Sequence, residues 1–258
     1  MYEGLNIAQT GLMSMQMRLD VIADNIANVN TNGFKASRLE FKDALYTAGL
    51  LPALAATPEG NQQEGHGTLP SAVSRDFSQG ALVTSGNPWD FAIEGEGFFA
   101  LQNTAGDTVY TRTGSFYKSI EADGAYLVND DGYYVLDNNG ERILTPEDTI
   151  GVAVDSDGTL SFETLGGNAE SVTLGVYTFR NTGGILALGD GNFGVDIAAG
   201  ERLEAVNFKV LQGMTEASNV DLATEMTLLV RSQRVFSLAA RAVTTADDME
   251  GVANNMKS

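Results

Sequence analysis

Apolar residues recur every seven positions near both ends of this 258-residue chain. The series near the N-terminus are Leu5, Leu12, Leu19 and Ile26, and Ala8, Met15, Ile22 and Val29. Those near the C-terminus are Leu228, Val235, Ala242, Met249 and Met256, and Leu238, Thr245 and Val252. Interleaved series of this spacing form an a/d seam, the pattern of a helix that packs along one stripe. The pattern therefore predicts one helix at residues 3–29 and another at the C-terminal end.

The predicted C-terminal helix carries a second apolar series beside the first. Its members are Leu222, Leu229, Phe236 and Val243, with Met226 and Ala240. A helix with two adjacent apolar stripes contacts more than one neighbour. Asn219 or Ser218 is the expected N-cap of this helix, and Asp221 would lie in its first turn. The N-terminal helix is expected to end before Gly33, which tolerates the positive φ of a helix terminator.

The hydrophobic pattern between the two ends changes to short alternating runs. Residues 76–208 hold 16 of the 21 aromatic residues and 20 of the 29 glycines. Turn pairs such as Asp123-Gly124 and Asp157-Gly158 separate the runs. An Asx-Gly pair between apolar runs is a strong hairpin signal. This part of the chain therefore predicts an antiparallel β-domain.

These patterns divide the chain into four parts and predict an α+β fold. Residues 36–75 are interpreted as a linker or extended segment, because three of the five prolines lie there. The remaining parts are an N-terminal assembly helix at 1–35, the all-β domain at 76–208, and a C-terminal helix at 209–258. The two helices are expected to pair in a coiled-coil-like manner and to flank the β-domain.

The charge is concentrated in the middle of the chain. The net charge is −19, and residues 76–208 hold 21 acidic but only five basic residues. This distribution argues against nucleic acid as a partner, because phosphate binding needs a basic face. There is no cysteine, which excludes disulfides and cysteine-ligated metals. No apolar run is long enough for a membrane span, and no cleaved secretory signal is expected at the N-terminus.

The motifs that could form a nucleotide or metal site are better interpreted as structural elements. The Gly95–Ala100 segment matches a dinucleotide fingerprint, but a strand rather than a helix is predicted to follow it. The Asp155–Gly158 segment lacks the outer ligands of a calcium loop, and His66 is the only histidine. We therefore assign no catalytic residue, cofactor or metal. By pattern alone, the seams could instead form an intramolecular helical hairpin packed on the β-domain.

Four segments, in order along the chain, resemble the bacterial flagellar basal-body rod and hook protein family. The first is residues 19–35, which end in Asn30-Thr31-Asn32-Gly33-Phe34-Lys35, and the second is residues 77–99, which contain Ser85-Gly86-Asn87-Pro88. The third is residues 110–133, which contain Tyr110-Thr111-Arg112-Thr113-Gly114-Ser115-Phe116, and the fourth is residues 212–234, which contain Ser218-Asn219-Val220-Asp221. The resemblance implies a non-enzymatic subunit that polymerises helically into the hollow drive shaft of the flagellum. Chain length favours the distal-rod type, with the proximal-rod paralogue as the alternative.

The resemblance also implies partners and a location. The partners would be further copies of the chain, adjacent rod and hook proteins, the surrounding rings and the type III export apparatus. The location would be the periplasm-spanning rod of the basal body, reached without signal cleavage. A ligand-binding β-module with dimerising helices, or a hydrolase using paired carboxylates, would be a competing class. Closed oligomers would favour such a module, whereas open polymers would favour a rod.

The predicted functional residues fall into two groups. The assembly seam comprises Leu5, Leu12, Met15, Leu19, Ile22, Ile26, Leu228, Val235, Leu238, Ala242 and Met249. The polar residues expected to set helix register or to form turns are Asn25, Asn28, Asn30, Gly33, Asn219 and Gln233. Single polar groups in an apolar seam can specify how helices align, which is the reason for the second group.

Overall fold

Two long helices flank a set of antiparallel strands, which confirms the predicted α+β class. The computed structural model describes residues 2–43, 47–48, 63–64, 68–146, 148–165 and 169–256. Helix α1 spans Tyr2–Ala27 and helix α2 spans Leu222–Asn255. The chain forms two units. The first contains Met1–Ala27, Ser37–Arg75 and Asp221–Ser258, and the second contains Asn28–Ala36 and Asp76–Val220.

In the first unit, α1 and α2 pack against each other and α1 also contacts a two-stranded ribbon. The ribbon pairs β1 (Ser37–Asp43) with β4 (Thr68–Arg75) in antiparallel register. Two further short strands pair with each other, β2 (Thr47–Ala48) and β3 (Gln63–Glu64). The described ends of the predicted linker are therefore paired strands. Residues 44–46, 49–62 and 65–67, which include His66, lie outside the described residues.

Helix α2 is capped by Asp221, and not by the predicted Asn219 or Ser218. The Asp221 carboxylate accepts hydrogen bonds from Thr224 Oγ1 at 2.6 Å and from the Ala223 N–H at 3.1 Å. The bond from the Thr224 hydroxyl, followed by that from the Ala223 backbone, holds the pKa of the Asp221 carboxyl below its ordinary value. The bond from the Ala223 N–H satisfies a backbone donor that the first helical turn leaves without an intrahelical partner.

The second unit contains the remaining strands and two 3₁₀ turns. The strands are β5 (Leu82–Thr84), β6 (Phe91–Gly95), β7 (Phe98–Gln102), β8 (Thr108–Thr111), β9 (Phe116–Glu121), β10 (Gly124–Asn129), β11 (Tyr134–Val135), β12 (Leu144–Thr145), β13 (Thr149–Val154), β14 (Thr159–Thr164), β15 (Ala169–Thr173), β16 (Val176–Phe179), β17 (Ile185–Gly189), β18 (Asn192–Val195), β19 (Arg202–Glu204), β20 (Phe208–Gln212) and β21 (Met214–Glu216). The 3₁₀ turns span Thr182–Gly184 and Ile197–Ala199.

The described strands pair throughout in antiparallel fashion. The main sheet has the order β12-β10-β11-β7-β8-β18-β17, with β9 beside β10, β16 beside β7, and β19 beside β16. A smaller sheet has the order β13-β14-β15, and β6 and β5 pair with β20 and β21. The predicted turn at Asp157-Gly158 joins β13 to β14, and Gly158 has φ 81°. The Asx-Gly signal therefore located a real hairpin.

The centre of the second unit is organised by β7, which is buried on both faces. Phe99 and Leu101 belong to one hydrophobic cluster, whereas Phe98 and Ala100 belong to another. Successive side chains of a strand point to opposite faces. The continuous apolar run in β7 therefore contributes side chains to two hydrophobic clusters, one on each face of the strand.

The second unit continues past residue 208, the predicted end of the β-domain. Strand β20 pairs with β6, and β21 pairs with β5, so the chain reaches Val220 before it leaves this unit. The segment after α1, Asn28–Ala36, also belongs to the second unit. Both segments lie directly beside the helices in sequence, but long-range pairing attaches them to the β-domain.

Candidate assembly interface

The second heptad series of α2 is half-buried at three of its positions, whereas its members Leu222 and Met226 are exposed. Leu229, Phe236 and Val243 are half-buried, and Ser232 between them is 3% exposed. These residues follow the three-and-four spacing of one helix face. This face, together with Leu228, is therefore the half-buried part of the apolar surface of α2.

The first heptad series of α2, which supplied the predicted seam, lies largely on the surface. Val235 is 40% exposed, Leu238 63% and Met249 63%, and Ala242 is also exposed. Only Leu228 of this group is half-buried. Further exposed apolar residues on the same helix are Met226, Val230, Val252 and Met256. We call Val235, Leu238, Ala242 and Met249 the outer stripe.

The seam residues of α1 are more covered than those of α2. Ile22 is 4% exposed, and the other described members are half-buried, namely Leu12, Met15, Leu19 and Ile26. Leu5 lies within α1, but its side chain is outside the described residues. Met13 and Met17, which the sequence analysis did not select, are 59% and 48% exposed. The exposed apolar surface of α1 thus comes from residues beside its seam.

Asn25 joins α1 to β1. Its Nδ2 donates to the Ser37 carbonyl at 2.9 Å, and its Oδ1 accepts from the Ser37 N–H at 2.8 Å. The side chain is 1% exposed, so both bonds are shielded from water. Ser14 makes a similar link to β4, because its Oγ donates to the Thr68 carbonyl at 3.0 Å. Within the subunit Asn25 therefore sets the position of a strand on its own helix.

The other predicted register residues lie in turns or on the surface. The Asn28 carbonyl accepts from the Thr31 N–H at 3.1 Å, and its Oδ1 accepts from the Thr31 hydroxyl at 3.2 Å. Asn30 is exposed in the same turn, and Gln233 is exposed on α2. Asn28 therefore stabilises the turn after α1.

Gly33 occupies a position that admits no side chain. Its φ is 69°, in the left-handed region. A Cβ at this position would lie 2.7 Å from Thr113 Oγ1 and 2.8 Å from the Thr113 backbone nitrogen. The Gly33 N–H donates to the Glu216 carbonyl at 2.7 Å. Backbone conformation and close packing both require glycine here.

Glu216 is the centre of a buried ion cluster in the second unit. Its Oε1 lies 2.6 Å from Lys35 Nζ, and its Oε2 lies 3.2 Å from Arg112 Nη1. Oε1 also accepts from the Gly80 N–H at 2.8 Å. Exposure of the three charged residues is 2% for Glu216, 0% for Lys35 and 4% for Arg112. One carboxylate therefore pairs with two cations away from water.

The two cations have further partners that compensate for their burial. Lys35 Nζ donates to the Ser78 carbonyl at 2.7 Å, and Arg112 Nη2 donates to the Gly95 carbonyl at 2.7 Å. Burial lowers the pKa of both Lys35 and Arg112, and the interaction with Glu216 opposes this shift. Removal of Glu216 would leave two cations without their shared counter-ion, which is expensive in a buried site.

Asn219 makes a second link in the same region. Its Oδ1 accepts from the Ala36 N–H at 2.8 Å, and its Nδ2 donates to the Asp76 carbonyl at 2.8 Å and to the Ser78 carbonyl at 3.1 Å. Each end of one amide therefore holds a different chain segment. The predicted role of Asn219 was helix register, whereas its contacts in the second unit are with irregular backbone.

Three family models match the chain in order. Residues 5–35 match the model described as flagella basal body rod protein, and residues 92–162 match the flagellar hook protein FlgE/F/G D1 domain. Residues 211–256 match the flagellar basal body rod FlgEFG protein C-terminal model.

Curated relatives match over nearly their whole lengths. The flagellar basal-body rod protein FlgG of Agrobacterium fabrum is 37% identical, over 98% of this chain and 99% of the relative. FlgG of Bacillus subtilis is 35% identical, over 100% of this chain and 98% of the relative. The chain belongs to the flagellar basal-body rod protein family. The flagellar hook-basal body complex protein FlhP of Bacillus subtilis is also similar, at 29% identity over the full length of both chains.

Family membership identifies the chain as a structural subunit of the flagellar basal-body rod. The matched rod-protein segments contain most of both helices, together with Gly33, Lys35, Glu216 and Asn219. Among the described residues, no group of three or more His, Cys, Asp or Glu side chains could hold a metal ion. No described helix is long and apolar enough to cross a membrane.

The ion cluster is the part of the site that sequence reasoning missed. Lys35, Arg112 and Glu216 all fall inside segments that carry the family resemblance, but Glu216 is not part of the quoted Ser218–Asp221 motif. Lys35 and Glu216 are 181 residues apart, so no local periodicity could pair them. The available signal was weak: each is a charged residue beside small or apolar neighbours.

Proposed function

We propose that this chain is a distal-type rod subunit that polymerises helically, through its terminal helices, into a hollow shaft that transmits torque to the hook. The observation that carries the proposal is the outer stripe of α2. Leu238 and Met249 are each 63% exposed, whereas Leu229, Phe236 and Val243 of the other series are half-buried. Exposed apolar rows on a soluble subunit favour burial against another protein.

Further copies of this chain are the partners that best suit the outer stripe. A contact between two different surfaces of identical subunits propagates into a helical polymer when its rotation does not close a ring. The terminal parts of the chain are nearly neutral, since residues 209–258 hold five basic and six acidic residues. Copies can therefore approach through their helices without strong repulsion, whereas the acidic β-domain favours solvent.

The distal-type assignment is supported by similarity over the whole chain to proteins named FlgG. In Bacillus subtilis, the identity to FlgG is 35% and the identity to FlhP is 29%. The proximal-rod paralogue of the same family is the alternative. Expression of this gene in another flagellated bacterium that lacks its own distal-rod gene would restore motility under our proposal. Restoration only in a strain lacking the proximal-rod gene would favour the alternative.

The remaining partners follow from a place in the rod. They are the adjacent rod and hook proteins, the rings that surround the rod, and the export apparatus that delivers the subunit without signal cleavage. The location is the periplasm-spanning part of the basal body, and the role is mechanical and non-enzymatic. Detection of the full-length subunit in purified hook–basal bodies, with its N-terminal residues retained, would test location and export together.

A pair of matched variants tests the assembly surface. Leu238→Asp places a charge on the outer stripe, and Ile120→Asp places one on β9, where Ile120 is 72% exposed. Both substitutions affect exposed apolar residues, so both variants should remain folded. We expect Leu238→Asp to abolish polymers in electron micrographs and Ile120→Asp to retain them, because only the first would bury an unpaired carboxylate. Loss of polymers with Ile120→Asp and their retention with Leu238→Asp would instead place the assembly surface on the β-domain.

A ligand-binding module with dimerising helices would behave differently. It would form a closed oligomer whose mass stops growing as protein concentration rises. A rod subunit should instead give light scattering that increases continuously with concentration, together with filaments of constant width. A fixed oligomer mass across the whole concentration range would contradict the rod proposal.

A further inference from the structure

Every passage of the chain from one unit to the other adjoins one of three short segments. The unit boundaries fall after Ala27, Ala36, Arg75 and Val220. In the second unit, these boundaries are the ends of the segments 28–36, 76–80 and 214–220. We call these the connecting segments. The backbone of each is therefore a route by which force on a helix would enter the β-domain.

Glu216 binds the other two connecting segments from its place in the third. Its carbonyl accepts from the Gly33 N–H at 2.7 Å, and its Oε1 lies 2.6 Å from Lys35 Nζ. The same Oε1 accepts from the Gly80 N–H at 2.8 Å. Three bonds from a residue that is 2% exposed thus join all three connecting segments.

The body of the β-domain is attached to the same residue through Arg112. This side chain reaches Glu216 Oε2 at 3.2 Å, the Gly95 carbonyl at 2.7 Å and the Ile93 carbonyl at 3.4 Å. Its guanidinium carbon also lies 5.5 Å from the centre of the Phe98 ring. The connecting segments are therefore bonded to strands of the main core as well as to one another.

A cluster of this kind suits positioning better than stabilisation. A buried ion pair contributes little net stability, because desolvation offsets much of the attraction, and apolar residues of similar size often do as well. Its bonds are directional, however, and each leaves a costly unpaired group when it breaks. The cluster therefore penalises alternative arrangements of the connecting segments more than it favours folding.

We propose that Glu216 is a positioning residue for rod assembly, which holds the three connecting segments in one arrangement on the β-domain. The inference rests on the proposed function and adds a residue-level requirement to it. Glu216 meets this requirement without touching a neighbouring subunit, because it is buried within the second unit.

The direct test measures the connecting segments in the soluble subunit. Glu216→Gln keeps the size of the side chain and removes its charge. We expect amide hydrogen exchange at Gly33 and Gly80 to rise at least tenfold. The Leu127 amide, which donates to the Ile143 carbonyl at 3.2 Å in the core, should keep its protection. Unchanged exchange at both connecting-segment amides would overturn the proposal without any reference to polymerisation.

The second readout is polymer growth, with a matched control in the core. Leu160→Ala removes a fully buried side chain from β14 and is expected to lower the thermal midpoint at least as much as Glu216→Gln. Under the proposal, Leu160→Ala still polymerises at temperatures where it is folded, whereas Glu216→Gln does not. Equal loss of polymerisation at matched thermal stability would make Glu216 merely structural and would overturn the proposal.

Two further outcomes can be told apart, namely that Glu216→Gln fails to fold and that the wild-type chain fails to polymerise. If Glu216→Gln does not fold, Asn219→Ala replaces it, because this variant removes the Ala36 and Asp76 bonds and leaves the ion cluster intact. Faster exchange at Ala36 together with slower polymer growth would then support positioning, and wild-type values of both would contradict it. If the wild-type chain itself never polymerises, the proposed function fails, and the exchange experiment still decides whether Glu216 orders the connecting segments.

Discussion

Lys35 Nζ and Glu216 Oε1 lie 2.6 Å apart across 181 residues of sequence, and neither side chain is more than 2% exposed. The pair joins the segment that follows α1 to the segment that precedes α2. Both residues belong to the second unit. Within that unit, a single carboxylate therefore holds together two segments that lie next to the helices in sequence.

The free energies of unfolding should show that Lys35 and Glu216 are coupled. Lys35→Met leaves the Glu216 carboxylate with one cation fewer, and loss of one partner of a buried pair typically costs about 3–5 kcal/mol. In Lys35→Met/Glu216→Gln the loss should be smaller than the sum of the single losses, by roughly 0.5–3 kcal/mol. Denaturant unfolding of the four members of this cycle gives the coupling. Strict additivity would show that the two side chains do not interact energetically.

Gly33 should tolerate substitution less well than a glycine with the same backbone conformation and free space around it. Gly33→Ala meets Thr113 at 2.7 Å and is strained at φ 69°, whereas Gly132→Ala at φ 77° meets nothing within 4 Å. Left-handed backbone alone costs a non-glycine residue on the order of 1–2 kcal/mol. We expect Gly33→Ala to lower the free energy of unfolding more than Gly132→Ala does. Equal losses would show that Thr113 moves aside freely.

The two stripes of α2 should separate subunit stability from assembly. Phe236→Ala shortens a half-buried side chain of the second heptad series. It should lower the free energy of unfolding by on the order of 2 kcal/mol, which is less than the loss at a fully buried phenylalanine. Leu238→Ala, on the outer stripe, should leave thermal unfolding of the subunit unchanged and weaken polymer growth. Thermal unfolding followed by the helix signal of circular dichroism measures subunit stability for both variants, and light scattering measures polymer growth. A larger loss of helix stability for Leu238→Ala than for Phe236→Ala would show that the outer stripe, and not the second series, stabilises the subunit.

The Asp221 cap should make the first turn of α2 sensitive to pH. The folded-state pKa of this carboxyl is lowered from its ordinary value of 3.8, chiefly by the bond from the Thr224 hydroxyl. A depressed carboxyl pKa means that the stabilising contribution is fully present above about pH 3.8 and is lost as the pH falls through the folded-state value. Amide exchange at Ala223 in acid should report this loss, and Asp221→Ala should remove the pH dependence. An unchanged acid profile in Asp221→Ala would assign the titration to another group.

Local patterns were enough to predict the helices, the hairpins and the fold class. The heptad series placed the first helix at 3–29, close to the observed Tyr2–Ala27, because a helix repeats its contacts every three to four residues. The Asp157-Gly158 turn was predictable because few residues other than glycine adopt the φ of 81° found there. Family resemblance over the same segments was sufficient to predict a structural subunit of the rod.

The sequence did not predict the strands on either side of the helices. Strands β1 and β4 lie within the segment interpreted as a linker, whereas β21 and all but the first residue of β20 lie within the one assigned to the C-terminal helix. Each is defined by a partner far away in the chain: Ser37 lies opposite Arg75, and Glu216 opposite Leu82. Strand pairing of this kind depends on non-local hydrogen bonds, which a short window of sequence does not contain.

What the sequence by itself determined is the identity of the apolar stripes, since side-chain spacing along a helix follows from backbone geometry alone. Only the tertiary structure decided which stripe of α2 is covered within the subunit, because Leu229 and Val235 have equivalent periodicity and differ only in exposure. It also brought Lys35, Arg112 and Glu216 together, since a buried carboxylate recruits its counter-ions through space rather than along the chain.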